Sequence, residues 1–380
     1  MFFLHYLDNA ATTLVPEAVV QAMADALLHH SGNPSSQYPF GQDGKAVAEH
    51  GRRVIAEALR CPKERLFFTS CGTESDAWAI RGAAWHGRHR GKHIITTSVE
   101  HSAVLESCRQ LEAEGYQVTY VKPDRRGMVS AEQVLDALRE DTVLVSMMLV
   151  NNETGCIFPV AEVAKGLKER GSAALLHCDA VQGFLKVDCD PVAWGVDLMS
   201  ISAHKLGGPK GIGALYISDR LRNFRPLIPG GGQESGLRSG TEATGQIAGF
   251  SKAVELRLEN YDEKIRHMAA MKALCLEKLL TIPGVTAVGG GTAPHILSVS
   301  LAGYPSGNIV TDLGSRGICI SAGSACHRGK SSHVVSALGL DKRTAAGVIR
   351  ISFAPETTAE DIDAVYQALK NHQAQRCAML

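Results

Sequence analysis

The sequence predicts an α/β fold built on a largely parallel sheet. Short β-branched, apolar runs alternate with segments of helical period through the first two thirds of the chain, which is the rhythm of strand-helix-strand crossovers. These runs are rich in apolar residues, as strands covered on both faces are. The segments that follow them are polar and rich in small residues. They stand where open α/β sheets gather ligands, beyond the carboxyl ends of the strands.

Taken in order, the opening MFFLHYL lacks a basic leader and runs directly into Asp8-Asn9, so it reads as a strand rather than a signal peptide. ERLFFTS (64–70) is a strand, and a helix follows from Glu74. KHIITT (92–97) precedes the helical SAVLESCRQLEAEG (102–115), and TVLVSMM (142–148) precedes PVAEVAKGLKERG (159–171). AALLHCDA (173–180), VDLMSIS (196–202) and GIGALYIS (211–218) complete the strand series. From Thr241 to Leu280 the pattern is that of one long helix, leading to a second region with strands at HILSVSL (295–301) and GVIRISF (347–353) and a closing helix from Ala359. A domain boundary is expected near Glu255, with no internal repeat.

Composition narrows the partners. Lys+Arg and Asp+Glu are both 39, so the chain has no basic field to hold a phosphate backbone, and nucleic acid is not an expected partner. No apolar run approaches the ~20 residues that cross a bilayer. The ten cysteines show no C-x-x-C pair, and in a chain of 380 residues they read as reduced thiols in a cytoplasm.

The chemistry gathers in the loops after the strands. In SAHKLGGPKG, Lys205 follows an apolar strand; burial lowers a lysine pKa and opens Schiff-base chemistry, and Gly207 and Gly208 let the backbone approach a ligand. Asp179 ends AALLHCDA, where a carboxylate needs a partner: a helix cap, a salt bridge, or the protonated ring nitrogen of a pyridine cofactor such as pyridoxal phosphate. Gln182 lies three residues on. Gly72-Thr73 opens a helix after a strand, which suits a phosphate, although a threonine cap explains the pattern equally. His101 opens the next helix and can lie over a flat ring. Asn152 of VNNETG offers an amide at a strand end, or simply a turn.

Together YLDNAATT, GNPSS, GTESD, EHSAV, VNNETG, HCDAVQ, SAHKLGGPKGIGALY, GGGQESGLRSGT and SAGSAC resemble the cysteine desulfurases of the NifS and IscS kind, class-V aminotransferases among the fold-type-I pyridoxal phosphate enzymes. The likeness runs from Tyr6 to Arg350. It implies a large domain (14–255) with a mostly parallel seven-stranded sheet flanked by helices, and a smaller α+β domain (1–13 and 256–380). It implies that Lys205 carries the cofactor, Asp179 meets the ring nitrogen, Gln182 and Asn152 the ring oxygen, and that His101 stacks on the ring. Gly72, Thr73, Ser202 and His204 would hold the phosphate, with Thr241 donated by the second subunit of a homodimer. Arg350 would clamp the substrate carboxylate, a task suited to its planar fork, with Asn33 and Asn152 also at the substrate. No metal is implied.

The reaction turns on Cys326. CISAGSACHRGKSSHVV is small and polar around it, which suggests an exposed, mobile thiol, and His327, Arg328 and Lys330 favour its thiolate. The resemblance implies that L-cysteine becomes L-alanine while Cys326 takes the sulfur as a persulfide, for delivery to an acceptor protein of iron-sulfur cluster, thio-cofactor or tRNA biosynthesis. The segment after Cys326 is shorter than in IscS-type relatives, and HQAQRCAML lacks their longer scaffold-binding tail, which leaves the acceptor open. A selenocysteine lyase, another class-V enzyme, or a non-catalytic scaffold that kept the fold are the competing readings.

Overall fold

The structure is a computed structural model that describes residues 4–221, 223–322 and 332–377, with residues 375–377 defined in backbone only. In chain order the strands are β1 (His5–Tyr6), β2 (Leu66–Thr69), β3 (His93–Thr97), β4 (Gln117–Val121), β5 (Thr142–Met148), β6 (Leu175–Asp179), β7 (Leu198–Ser202), β8 (Gly213–Ile217), β9 (Val285–Ala287), β10 (Ile296–Leu301), β11 (Ile318–Cys319), β12 (Ser321–Ala322) and β13 (Val348–Ser352). Seven of them form the central sheet in the order β2-β8-β7-β6-β5-β3-β4.

This sheet is mostly parallel, as the sequence predicts. β7, β6, β5, β3 and β4 pair in parallel, while β8 runs against both β7 and β2. The exception has a covalent cause. The connection from Ser202 to Gly213 carries only a 3-10 turn at Ala203–Lys205, too short for the helical crossover that a parallel neighbour needs. The chain therefore returns as a hairpin, and Lys205 sits in that return.

Side chains alternate across the sheet with the period of two that a strand imposes. Ile95, Val145, Leu176, Met199 and Ile201 face one core, shared with Ile55, Val163 and Phe250 from helices Pro39–Ala58, Val160–Glu169 and Thr244–Leu258. Ile94, Leu144, Leu175, Leu198 and Leu215 face another, shared with Trp78, Val104 and Leu111 from helices Gly72–Gly87 and Ser102–Ala113. β5 and β6 are buried at every residue. Edge strand β4 is not expected from the sequence, because it is polar and only partly covered, which dilutes the apolar signal.

Two further departures follow from local backbone chemistry. The single helix expected from Thr241 to Leu280 is two, Thr244–Leu258 and Tyr261–Leu280, parted at Asn260, whose φ of 50° is left-handed. Asparagine accepts that conformation more readily than most residues. The opening strand is short, and β1 pairs in parallel with β11, His5 beside Ile318. Leu7 thereby joins a second core with Met268, Val299, Ile351 and Leu369, built around the antiparallel β12-β13-β10-β9 sheet and the helix Ala359–Cys377.

Because β2, β3, β5, β6 and β7 point the same way, Thr69, Thr97, Met148, Asp179 and Ser202 all end on one edge of the central sheet. The segments after them converge there, as the rule for open α/β sheets requires.

Candidate active site

A cavity of about 390 Å³ opens at that edge, and ten residues singled out from the sequence line it: Gly72, Thr73, His101, Asn152, Asp179, Gln182, Ser202, His204, Lys205 and Arg350. They come from six separate stretches of chain. The sheet assembles them.

Lys205 is held by the N-terminal segment, its amine donating to the carbonyls of Ala10 at 2.8 Å and Ala11 at 2.7 Å. Burial, with Arg350 adding to it, brings the amine down to about 8. The glycines expected to admit a ligand serve the turn instead. Gly207 takes a φ of +96° and donates its N–H to Thr13 Oγ1 at 2.7 Å, and a Cβ on Gly208 would stand 2.7 Å from that of Ala203. Neither lines this cavity.

Asp179 ends β6 with its carboxylate accepting from the Val181 N–H at 2.9 Å, and it has no ion pair among the described residues. Burial, reinforced by nearby Asp76, raises it to about 7. A rung of polar groups crosses the sheet beneath it. His177 bonds Ser146 Oγ at 2.9 Å through Nδ1 and Ser200 Oγ at 3.0 Å through Nε2. Asp76 Oδ1 is 3.5 Å from the same Nε2. Burial lowers His177 to about 4 and raises Asp76 to about 7, so at neutral pH the imidazole is neutral and this contact is not an ion pair. Asp76 and His177 escaped the sequence reading, although Asp76 closes the GTESD motif. A carboxylate on a helix face otherwise dominated by alanine, isoleucine and tryptophan was the available signal.

The helix Gly72–Gly87 begins against the cavity. Its capping position, Cys71, gives no side-chain bond to the first turn, so the early N–H groups keep their anion-binding character. Thr73 is therefore inside the helix rather than its cap. Ser202 Oγ is buried without a hydrogen-bond partner among the described residues. His204 bonds Thr12 Oγ1 at 3.2 Å, and burial with Lys205 lowers its ring to about 4.

His101 is both a helix cap and a cavity residue. It caps the helix Ser102–Ala113, Nδ1 accepting from the Ala103 N–H at 3.2 Å, and also lines the cavity. That bond places the proton of the neutral ring on Nε2. Gln182 donates to the Ala10 carbonyl at 2.8 Å. Arg350 is buried rather than on the surface: it donates to the Asn152 carbonyl at 2.8 Å, to Asp8 Oδ1 at 2.8 Å and to Ser321 Oγ at 3.0 Å, while its Nε lacks a partner among the described residues. Asp8 was missed as a site residue, its signal being a carboxylate straight after an apolar strand.

Other expected residues are not brought to the cavity by this chain. Thr241 is exposed. Asn33 is exposed too, its side-chain oxygen accepting from the Ser35 N–H at 2.9 Å. Cys326, with His327, Arg328 and Lys330, lies outside the described residues. Just beyond, Ser332 donates to Glu153 at 2.6 Å, and His333 bonds the Glu100 carbonyl at 2.8 Å.

The donor set fits pyridoxal phosphate. An unpartnered buried hydroxyl beside an uncapped helix start suits a phosphate. A buried carboxylate without a counter-charge suits a protonated pyridine nitrogen. An amine of lowered pKa stands at the same cavity.

Residues 5–365 match the aminotransferase class-V family. The chain is 39% identical to the cysteine desulfurase IscS of Clostridium botulinum, over 98% of this chain and 95% of that one. It is 42% identical to the cysteine desulfurase of Trichormus azollae, over 96% and 91%. A solved NifS-like protein superposes with a TM-score of 0.92 at 36% identity, covering 98% of this chain and 100% of its own.

Proposed function

The chain belongs to the class-V aminotransferase family, with the fold-type-I architecture, and is a pyridoxal phosphate-dependent cysteine desulfurase; on that premise we propose that it converts L-cysteine to L-alanine while Cys326 takes the sulfur as a persulfide. The observation that carries the reading is the meeting of Lys205 and Asp179, from the ends of adjacent strands β7 and β6, at one cavity.

Pyridoxal phosphate, when bound, supplies an electrophilic carbonyl and a conjugated ring that accepts an electron pair from the substrate carbon. Asp179 would hold the ring nitrogen in its protonated form, and that positive charge would in turn return the carboxylate from about 7 toward its ordinary ionised state. Gly72, Thr73, Ser202 and His204 would take the phosphate, His101 would cover the ring face, and Gln182 and Asn152 would reach the ring oxygen.

Lys205, near 8, carries an appreciable neutral fraction at physiological pH, which an unperturbed lysine lacks. Its amine can therefore attack a carbonyl and accept the proton of the substrate α-carbon. Arg350 holds the substrate carboxylate with its unspent Nε and the edge of its fork. Cys326 as thiolate attacks the substrate sulfur: an S–S bond forms, the C–S bond breaks, and the carbon takes a proton to become the methyl of alanine.

Thr241 lies exposed on its own chain, as a residue lent to a neighbour's site would, and this supports a homodimer. The large unit (14–255), the small unit (1–13 and 256–380), a protein acceptor of iron-sulfur or tRNA thiolation chemistry and a cytoplasmic setting complete the proposal. The eight described cysteines are all free, in keeping with a reducing compartment, and no described helix is long and apolar enough to cross a membrane.

Incubation with cysteine followed by intact-mass and peptide mapping tests the reading. A gain of one sulfur on Cys326 with stoichiometric alanine is expected. Alanine formation with the sulfur on another residue overturns the assignment.

A further inference from the structure

A larger cavity, of about 450 Å³, lies on the other side of Lys205. It shares Lys205 with the site above but not Asp179, Ser202, His101 or Arg350, so it is neither the cofactor nor the substrate site. Its wall carries three deeply buried basic side chains. Lys186, Arg257 and His295 all line it, and they are only 4%, 8% and 1% exposed.

None of the three has an ion pair among the described residues. Lys186 has only Gln182 Oε1 at 3.3 Å. Arg257 has the Leu185 carbonyl at 3.2 Å and the weakly accepting Met268 sulfur at 3.5 Å. Both ring nitrogens of His295 are buried without a partner among the described residues. Neither carboxylate at the cavity forms an ion pair with the three: Asp361 is engaged by His5 at 2.8 Å and by Thr358, and the exposed Glu356 acts on Arg257 only from beyond ion-pair distance. Of the other two lysines of the wall, Lys264 donates to the Leu256 carbonyl and Lys205 to those of Ala10 and Ala11.

We propose that this cavity is an anion-binding site in which Lys186, Arg257 and His295 together hold one small monovalent anion, a halide or a short carboxylate. An uncompensated buried charge is costly, and one bound anion removes the cost. Burial lowers Lys186 and His295 well below their ordinary values, whereas Arg257, at about 10, stays charged at neutral pH. A guanidinium beside two further nitrogen groups, none of them ion-paired among the described residues, suits one small anion. The apolar remainder of the wall, Leu206, Leu256 and Phe353 among it, offers little to a phosphate or sulfate.

Crystals of the holoenzyme grown without halide or carboxylate, soaked in sodium bromide and measured at the bromine absorption edge, test this directly. An anomalous peak touching Arg257 and Lys186 is expected, and ordinary water density there overturns the proposal. Added sodium acetate distinguishes the sources: loss of the peak shows that carboxylates share the site, and its persistence restricts the site to halides. In solution, chloride NMR line broadening by the holoenzyme should saturate and be lost in Lys186→Met; equal broadening in both proteins overturns the site. The crystal measurement needs no variant and stands if Lys186→Met fails to fold.

Discussion

Arg350 and Asp8 meet at 2.8 Å, the guanidinium from β13 and the carboxylate from the segment after β1. These positions are far apart in sequence, and their pairing ties the N-terminal segment to the cavity that Arg350 lines. It also leaves the guanidinium partly spent, with Nε unbonded among the described residues.

A lysine at position 350 could keep the charge but not the fork. Arg350→Lys is expected to raise KM for cysteine by roughly tenfold or more, the loss of one charge-assisted hydrogen bond being about 1.5–3 kcal/mol, with a smaller change in kcat. Steady-state alanine formation checks this, and an unchanged KM removes Arg350 from the substrate.

Lys205→Ala should retain the fold, since among the described residues the side chain bonds only the carbonyls of Ala10 and Ala11. Alanine formation is expected to drop by roughly 10²–10⁴-fold or more, the usual weight of a positioned proton-transfer group. Borohydride reduction of the holoenzyme should fix the cofactor to the peptide containing Lys205. Label on another peptide contradicts the assignment.

Cys326→Ala should abolish both persulfide on that peptide and catalytic turnover, while leaving the visible absorbance of the bound cofactor in place. Full turnover in this variant would instead favour a class-V enzyme that needs no acceptor thiol.

Asp76 titrates near 7 when folded, against an ordinary value of 3.8. Between those values the folded protein binds more protons at this site than the unfolded chain, so the site's contribution falls as pH rises, by at most about 1.4 kcal/mol per pH unit. His177, lowered to about 4, acts in the opposite sense below its ordinary 6.5. The clean quantity is therefore a difference. Asp76→Asn should gain stability relative to the unsubstituted cofactor-free protein as pH rises from about 4 to about 7, measured by urea midpoints. A pH-independent difference sinks the raised value.

The chain's own pattern was enough to mark most strands of the central sheet and its mostly parallel order, and to single out Lys205 and Asp179 as candidates. Each of the two follows an apolar strand, and a polar group there is conspicuous because burial without purpose is costly. His101 was legible for a similar reason, and its cap and its place at the cavity proved compatible. Other features had no local signature. The break at Asn260 is a single dihedral inside a helical pattern, and the reversal of β8 depends on what a short connection can span. Asp8, Asp76, His177 and the buried basic cluster of Lys186, Arg257 and His295 acquire meaning only from neighbours many residues away. Titration and ion pairing depend on distance and desolvation in space, and those the fold alone decides.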